Sequence, residues 1–250
     1  MLAVKRHEAI IELLEQNGSV KVSELKELFK VTDKTVREDL EKLEQQGFLT
    51  KIHGGAVLPD SGPGLLPMKS ACQKSLSEKT AIAQKAVRLI EANDIIALDS
   101  GTTTLEIAKL LPNEALTVVT NDLYIISELI KKEHIRLVVP GGYRSRNLLV
   151  SPESPEFIHK LNIKKAFIST TGIHPDYGFT IFTSALVEQK RAWIESAKSV
   201  FCVADHSKFD QCALLTFAKL DEVDQIITDS GLPESIVKSY DAKGIAVNYS

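Results

Sequence analysis

Residues 99–104 read DSGTTT and join an apolar strand pattern to a helical pattern. Gly101 would let the backbone approach a ligand closely, and the N–H groups and hydroxyls of the three threonines stand where a helix N-terminus binds anionic oxygens. The alternative is that the threonines only cap the helix. The run is neither a Walker loop nor a G-x-G-x-x-G dinucleotide fingerprint. We therefore expect a cradle for an anion such as a phosphate.

Polar residues and glycines also follow the other apolar runs. In open α/β sheets, ligands bind beyond the carboxyl ends of the strands, where the strand order reverses. The residues at these ends are Asp99, Thr120, Asn121, Asp122, Gly141, Gly142, Ser169, Thr170, Thr171, Gly172, Asp205, His206, Ser207 and Lys208. Their hydroxyls, amides and glycines suit a phosphorylated or polyhydroxylated ligand. Lys208 could pair with a phosphate, although a solvated surface lysine is the commoner case.

Catalysis is the competing interpretation of these residues. Asp205, His206 and Ser207 have the residue types of a hydrolytic triad, but three adjacent side chains cannot converge on one reacting atom. A sugar-phosphate isomerase or transferase would need a positioned general base, and Asp99, Asp205 and Glu188 are candidates by location. The sequence shows no loop of paired carboxylates, so we expect a binding protein and not an enzyme.

A second set of candidates belongs to a helical pattern at residues 32–45. Val36, Leu40 and Leu43 recur at helical spacing and would face inward, which leaves the charged side chains exposed. Such a helix can read base edges and phosphates in the major groove of DNA. Arg37 could read guanine, which is worth about 1 to 3 kcal/mol of discrimination. The predicted DNA-contacting residues are Thr32, Lys34, Thr35, Arg37, Glu38, Lys42, Lys51 and His53.

The charge balance around these residues is not basic. Residues 1–58 hold nine Lys and Arg against ten Asp and Glu, and the whole chain has a net charge of −3. Lys34 and Lys42 could still contact phosphates, and Lys51 and His53 could reach the DNA backbone or minor groove from a wing. Non-specific affinity for DNA should be modest, because it scales with the phosphates neutralised. A winged helix used for protein contacts stays open as an alternative.

The elements that must position the DNA-contacting residues are three helical patterns and a hairpin in residues 1–58. The run FLTKIHGGAVL predicts two short strands around a tight turn at Gly54–Gly55. Together these elements predict a winged helix-turn-helix. The second helix should bury Val22, Leu25, Leu28 and Phe29. The predicted end signals are Asn17–Gly18 for the first helix, Ser23 as N-cap of the second, and Thr32 and Gly47 for the third.

Residues 59–76 are rich in proline, glycine and serine and predict a linker. From Ser77 onward, helical patterns alternate with apolar strands, which predicts a mostly parallel α/β sheet with helices on its faces. The strands are expected at 94–99, 116–120, 135–139, 165–170, 199–204 and 223–228. The predicted domains are therefore 1–58 and 77–250, joined by the linker.

Composition sets the broad class of the protein. A chain of 250 residues that is 44% hydrophobic and 25% charged can bury a core and form two domains. No apolar run is long enough to span a membrane, and the charges in MLAVKRHEAII do not fit a signal peptide, so we expect a cytoplasmic location. Cys72, Cys202 and Cys212 form no C-x-x-C pair and the six histidines show no ligand spacing, so we expect no disulfide, metal or cofactor.

Taken together, the motifs resemble the DeoR family of bacterial sugar-metabolism repressors over nearly the whole chain. The N-terminal part is similar in Arg6, Ile10, Leu14, TDKTVREDL and KIHGGAVL, and the remainder in SEKTAIAQKA, LDSGTTTLEIAKLL, TND, PGG, AFISTTGI and VADHSKF. The resemblance implies a DNA-binding winged helix joined to an α/β domain similar in fold to ribose-5-phosphate isomerase. It also implies that this domain senses a sugar or sugar phosphate and that the protein is a dimer or larger homo-oligomer on an operator.

The resemblance also assigns effector-binding roles residue by residue. The phosphate falls to Gly101, Thr102, Thr103 and Thr104, and the rest of the pocket to Asp99, Asn121, Gly141, Gly142 and Lys208. Two positions depart from the family pattern: Glu38 follows Arg37 where members often have a second basic residue, and Ser151–Pro152 stands where many have a glycine. The predicted function is a repressor of a carbohydrate-utilisation operon, with an isomerase-like or transferase-like enzyme as the alternative.

Overall fold

The structure is a computed structural model that describes residues 3–17, 19–45, 48–57 and 75–249. Contacts divide the chain into two compact units, Met1–Lys74 and Ser75–Ser250. Several predictions fall outside the described residues. They concern Gly18 and Gly47 as helix ends, Cys72, and residues 59–74 of the linker. The domain boundaries therefore stay predictions.

The first unit is a winged helix-turn-helix, as predicted. Val36, Leu40 and Leu43 are buried as expected, and so are Ile10 and Leu14 of the first helix, which contacts the third helix. The three strands form an antiparallel sheet in the order β1-β3-β2. The elements are α1 (Ala3–Asn17), β1 (Ser19–Lys21), α2 (Val22–Phe29), α3 (Asp33–Gln45), β2 (Thr50–Ile52) and β3 (Gly55–Val57). The sequence did not predict β1, which has only three residues.

Two local predictions for α2 are wrong. Ser23 is not the N-cap: the helix begins at Val22, whose N–H donates to the Gly54 carbonyl at 2.9 Å, so the chain passes directly from the β-ladder into the helix. Leu28 is 60% exposed and not inward, because the short helix buries only the stripe Val22, Leu25 and Phe29. The cap of α3 is as predicted, since Thr32 Oγ1 accepts the Thr35 N–H at 3.2 Å.

The wing turn needs glycine at two positions for different reasons. Gly54 has a φ of +82°, a left-handed conformation that suits the turn. Gly55 already lies in β3, where a Cβ atom would stand 2.1 Å from the Val20 carbonyl oxygen. The predicted Gly54–Gly55 turn is therefore shifted, because only Gly54 makes the turn and Gly55 makes the close approach.

The second unit is built on a seven-stranded sheet in which every pairing is parallel. This confirms the predicted α/β class. The strands of the large sheet are β4 (Ile95–Leu98), β5 (Leu116–Val119), β6 (Ile135–Val138), β9 (Ile163–Ile168), β12 (Ala197–Val203), β14 (Gln225–Ile227) and β15 (Ala246–Asn248). The helices are α4 (Leu76–Val87), α5 (Thr102–Leu110), α6 (Leu123–Leu129), α7 (Ser154–Ile158), α8 (Val187–Ser196) and α9 (Glu234–Asp241).

Several short strands were not predicted. β15 extends the large sheet, while a hairpin and a three-stranded antiparallel sheet lie outside it. These are β7 (Tyr143–Ser145) and β8 (Leu148–Val150), and β10 (Gly172–His174), β11 (Gly178–Ile181) and β13 (Leu215–Ala218).

The strand order locates the crevice of the large sheet. From β4 the chain moves to β5 and β6 on one side, and it then returns to β9 on the other side and continues to β12, β14 and β15. The order therefore reverses between β4 and β9. In open parallel sheets this is where ligands bind, at the carboxyl ends of the strands. We call the region between the carboxyl ends of β4 and β9 the switch crevice.

Candidate functional site

Asp99 and Ser169 meet at the switch crevice. Asp99 directly follows β4 and Ser169 directly follows β9. The Ser169 N–H donates to Asp99 Oδ2 at 3.0 Å, and the Ser169 hydroxyl lies 2.9 Å from the same oxygen. Asp99 is only 2% exposed. A buried carboxylate therefore forms the base of the crevice and joins its two sides.

Lys190 of α8 is the cation that pairs with this carboxylate. Its Nζ contacts Asp99 Oδ2 at short range and donates to the Ser169 carbonyl at 2.8 Å. The same atom lies 5.0 Å from the centre of the Phe217 ring. The sequence analysis missed Lys190, although its place three and four residues before the buried Trp193 and Ile194 puts it on the inward stripe of α8. A lysine on such a stripe signals a buried partner.

Residues 101–104, the anion loop, open α5 beside the crevice. Gly101 is the N-cap of α5. A Cβ atom at this position would lie 2.9 Å from Ser169 Cβ, which is too close, so the contact favours glycine. The fully buried Thr104 donates its hydroxyl to the Gly101 carbonyl at 2.9 Å, so this hydroxyl is bonded within the first turn of the helix. Thr103 is buried and Thr102 is half-buried. Because the first N–H groups of a helix have no partner inside it, the loop keeps its capacity to bind an anion.

Asn121 and Asp122 follow β5, the neighbour of β4. Asn121 donates its side-chain amide to the Leu149 carbonyl at 3.0 Å, and its Oδ1 is buried without a partner among the described residues. Asp122 caps α6 by accepting the N–H groups of Tyr124 and Ile125. Burial raises the pKa of Asp122 to about 6, and the nearby charge of Asp99 acts in the same direction. Sequence analysis placed Asp122 at the strand end but not in this role.

Gly141 and Gly142 follow β6, two strands from β4. Both have positive φ angles, +85° and +114°. A Cβ atom on Gly142 would lie 2.2 Å from the Val150 carbonyl oxygen, whereas nothing lies within 4 Å of one on Gly141. Gly142 is therefore required by the packing of the following hairpin, in addition to any role at a ligand.

Residues 205–208 follow β12, two strands from β4 on the other side. Asp205 accepts the N–H of Ser207, and His206 instead bonds through Nδ1 to Asp229 Oδ2 at 2.7 Å, so the three triad residue types do not converge. Burial opposes the ionisation of Asp229, but the hydrogen bonds from His206 lower its pKa. Lys208 is half-buried and makes no side-chain ion pair or hydrogen bond with any described residue. It is a free cation at this edge.

The predicted DNA-contacting residues lie on α3 and on the β2–β3 hairpin. Most are exposed, and Arg37, Lys42 and His53 form no ion pair with another described residue. Lys34 lies 3.9 Å from Glu38, and Lys51 Nζ lies 3.4 Å from Glu44. Acidic neighbours therefore compete with phosphates for Lys34 and Lys51. This leaves Arg37 and Lys42 as the free cations of α3.

A buried charge cluster fixes α3 against α1. Arg6 Nε donates to Asp39 Oδ2 at 2.7 Å, and His7 Nε2 lies 3.0 Å from Asp39 Oδ1. Asp39 is buried on the inward face of α3, on the side opposite the exposed Arg37. The pair therefore sets the orientation in which α3 presents its outer side chains.

The described part of the chain lacks two other kinds of functional element. No helix there is both long and apolar enough to cross a membrane. No group of three or more His, Cys, Asp or Glu side chains in those residues could hold a metal ion.

Comparison with known proteins agrees with this architecture. A DeoR-like helix-turn-helix domain matches residues 6–62, and a DeoR C-terminal sensor domain matches residues 74–230. The HTH-type transcriptional regulator IolR of Bacillus subtilis is 35% identical over 93% of this chain and 94% of its own length. The glycerol-3-phosphate regulon repressor of Escherichia coli is 34% identical over 95% of each chain.

Among solved structures, ribose 5-phosphate isomerase A from Methanocaldococcus jannaschii is similar to part of this chain. The match covers 52% of this chain and 53% of the isomerase, with a TM-score of 0.39 and 15% identity. The family assignment made from the motifs is confirmed by the two domain matches and the relatives. The chain belongs to the DeoR family of helix-turn-helix transcriptional regulators.

Proposed function

We propose that this protein is a repressor of a carbohydrate-utilisation operon and that a sugar or sugar-phosphate effector controls its binding to the operator. The observation that carries the proposal is the anion loop at the switch crevice, in a chain that also carries a winged helix. The name of one relative, a glycerol-3-phosphate regulon repressor, supports a phosphorylated carbohydrate as the effector.

The effector is proposed to bind at the switch crevice with its phosphate at the anion loop. Parallel strands lie about 4.8 Å apart, so β6 and β12 are each roughly 10 Å from β4. The glycines after β6 and Lys208 after β12 can therefore contact the same small ligand only if the loops that carry them fold toward β4. We propose as effector-binding residues Asp99, Gly101, Thr102, Thr103, Thr104, Asn121, Gly141, Gly142 and Lys208.

The operator is proposed to be read by α3 and the wing. Arg37 is the base-reading candidate, and Lys42 is the phosphate-contacting one, since neither is held by a described acidic side chain. The remaining proposed contacts are those of Thr32, Lys34, Thr35, Glu38, Lys51 and His53. A homodimer or tetramer on paired half-sites is the proposed assembly, and a protein that acts on genomic DNA would work in the cytoplasm.

Ligand sensing without catalysis is the proposed role of the crevice. Of the three candidate bases, Asp99 is bound by Lys190 and Ser169, and Asp205 is bound by Ser207. Glu188 is exposed on α8. The relatives from Bacillus subtilis and Escherichia coli are named as a regulator and a repressor, which supports the same conclusion. Effector binding is proposed to change operator affinity through the 59–76 segment, by about 5- to 150-fold.

A gel-shift titration with the DNA upstream of the protein's own gene tests the proposal. We expect that DNA to bind at least about 100-fold more tightly than random DNA at physiological salt. At least one sugar phosphate should then change the affinity for the operator, while inorganic sulfate at equal ionic strength should not. Equal affinity for upstream and random DNA would refute the proposed DNA reader, and turnover of a sugar phosphate by the protein would refute the non-catalytic role.

A further inference from the structure

β6 is an outermost strand of the large sheet, and its outer side carries unpaired backbone groups. The Thr120 N–H of β5 donates to the Val138 carbonyl at 3.1 Å, so the backbone groups of Val138 face β5. Because backbone groups alternate along a strand, those of Leu137 face outward. Among the described residues β6 pairs with β5 alone, and no other hydrogen bond reaches the Leu137 backbone. We call this outer side, with its flanking loops (residues 130–146), the β6 edge. It can accept a further strand.

Exposed apolar side chains stand at both ends of the β6 edge. Ile130 precedes β6 and is 71% exposed, and Tyr143 follows it and is 68% exposed. No other large apolar side chain in the described part of the chain is as exposed as these two. Ile130 follows α6, which contacts β6, and Tyr143 begins the β7–β8 hairpin, which a bridge of Leu148 with Asp122 holds at the end of β5. Apolar side chains beside an unpaired strand mark an interaction surface.

The carboxyl end of the β6 edge is basic. All three residues of β7 are exposed, among them Arg144. Arg144 makes no ion pair with a described acidic side chain, and its Nε donates to the Arg146 carbonyl at 3.0 Å. Arg146 lies in the turn of the hairpin, is also exposed and adds a second positive charge. The hairpin therefore presents the ring of Tyr143 together with two cations.

The amino end of the β6 edge is acidic. Glu114 lies just before β5 and Glu133 just before β6, and the His134 N–H donates to Asn113 Oδ1 at 2.9 Å, which joins the two loops. Both glutamates are exposed and form no ion pair with a described residue. The two lysines that precede Glu133 are engaged: one lies 3.5 Å from Glu128, and the other donates to the last carbonyls of α5. This end therefore offers two free carboxylates.

The two ends make the β6 edge complementary to itself. Antiparallel pairing reverses the strand, so it brings the carboxyl end of one copy against the amino end of the other. Arg144 would then approach Glu133, and Tyr143 would approach Ile130. The exposed Arg136 belongs to the middle of the strand, and its side chain projects from a face of the sheet, so it leaves the backbone groups of the edge accessible.

We propose that two copies of this chain associate through the β6 edge, with their β6 strands antiparallel and their large sheets continuous. The occupant is a second copy because the basic and acidic ends match when the strand direction is reversed, which is what a two-fold axis does. The inference rests on the proposed homo-oligomer and adds the surface that forms it. A two-fold dimer also fits an operator of paired half-sites.

Sedimentation velocity of the full chain over a range of concentrations measures the self-association. Tyr143→Ser/Arg144→Glu should weaken it at least about tenfold, because each dimer loses two apolar contacts and two ion pairs and gains repulsion between like charges. The matched control is Tyr177→Ser, which removes another exposed tyrosine at the turn between β10 and β11, outside the β6 edge. The control should leave the association constant within about twofold of wild type.

A charge swap tests the contact between the two ends. Arg144→Glu and Glu133→Arg should each weaken the self-association, because each leaves both ends with the same sign of charge. The double variant Arg144→Glu/Glu133→Arg should return to within about threefold of wild type, since opposite charges meet again. A variant that failed to fold could not be rescued in this way, and urea denaturation followed by Trp193 fluorescence should give all variants similar midpoints.

The outcomes separate this inference from the proposed function. A wild-type oligomer whose association is unchanged in Tyr143→Ser/Arg144→Glu would overturn the inference and leave the proposed homo-oligomer standing. Weakening in both single variants without rescue in the charge swap would also overturn it. A wild-type protein that stays monomeric at micromolar concentration and on the operator would refute the homo-oligomer, and the inference would fail with it.

Discussion

Replacement of Asp122 by Asn should change how the stability of the second unit depends on pH. Burial raises the pKa of this carboxyl from its ordinary 3.8 to about 6. The folded protein therefore holds the proton more tightly than the unfolded chain does. The stabilisation that comes from protonated Asp122 is complete below about pH 4 and is lost as the pH rises through 6. Its full size is about 3 kcal/mol.

The substitution removes the titration with little other change. Asn is as good an N-cap as Asp, so the bonds from Tyr124 and Ile125 to Oδ1 can remain. The side chain of Asn147 donates to Asp122 Oδ2 at 2.7 Å, and it can rotate to present its own oxygen to the new amide. The variant should therefore fold with the helix cap intact.

Urea denaturation followed by Trp193 fluorescence measures the effect. Trp193 is the single tryptophan of the chain and is fully buried in α8, so its signal reports the second unit. Between pH 4.5 and pH 7, the free energy of unfolding of Asp122→Asn should rise relative to wild type by about 2 kcal/mol. A plot of the free energy of unfolding against pH should therefore lack, in the variant, the decrease that Asp122 causes in the wild-type protein.

Asp94→Asn is the matched control for this experiment. Burial would raise the pKa of Asp94, but hydrogen bonds from Lys164 and Lys165 lower it to about 2. Asp94 is then ionised in both states above pH 4.5, so its loss should shift stability by a constant amount across the range. If the Asp122→Asn curve also runs parallel to wild type, the conclusion that burial holds the Asp122 proton is wrong.

Three other predictions concern the proposed sites. Arg37→Ala should weaken binding to the operator by about 1 to 3 kcal/mol and change binding to random DNA little. Lys42→Ala should weaken binding to both DNAs and reduce the slope of log affinity against log salt concentration by about 1. Equal effects of the two variants on specificity in gel shifts would contradict these roles. Thr103→Leu should abolish the response to effector in the same assay and leave operator binding intact, and loss of both would mean that the loop has another task. Gly142→Ala should destabilise the second unit by at least about 1 kcal/mol in urea denaturation. The reasons are the φ of +114° at this position and the 2.2 Å distance from the added Cβ atom to the Val150 carbonyl oxygen. An unchanged urea midpoint would contradict this close contact.

Sequence patterns predicted those features that depend on neighbours along the chain. The inward stripe Val36, Leu40 and Leu43, the Thr32 cap and six strands of the large sheet follow from local periodicity and capping chemistry. The error at Leu28 arises because the short helix α2 buries only one stripe. The error at Ser23 has a tertiary cause, since the ladder of β1 with β3 carries the chain directly into α2. Local rules contain no information about that pairing.

The candidate site was predictable in its residue types but not in its arrangement. Polar residues at the strand ends were visible in the sequence, but the strand order decides that Asp99 faces Ser169 while Gly142 and Lys208 lie on opposite sides. Asp99 and Lys190 are 91 positions apart, and only the fold brings them together. A buried lysine can be suspected from the stripe of α8, but its partner cannot be named without the structure.

The ion pair of Asp99 and Lys190 also resolves an electrostatic conflict in the proposed site. A phosphate at the anion loop would lie near an ionised carboxylate, and two unit charges at roughly 6 Å repel by about 3 kcal/mol at an effective dielectric constant of ~20. Lys190 cancels most of that repulsion because its ammonium group contacts the carboxylate directly. The carboxylate then does not oppose an anion at the loop, and Lys208 makes no ion pair with an acidic side chain among the described residues. The ion pair thus makes the proposed crevice compatible with an anionic effector.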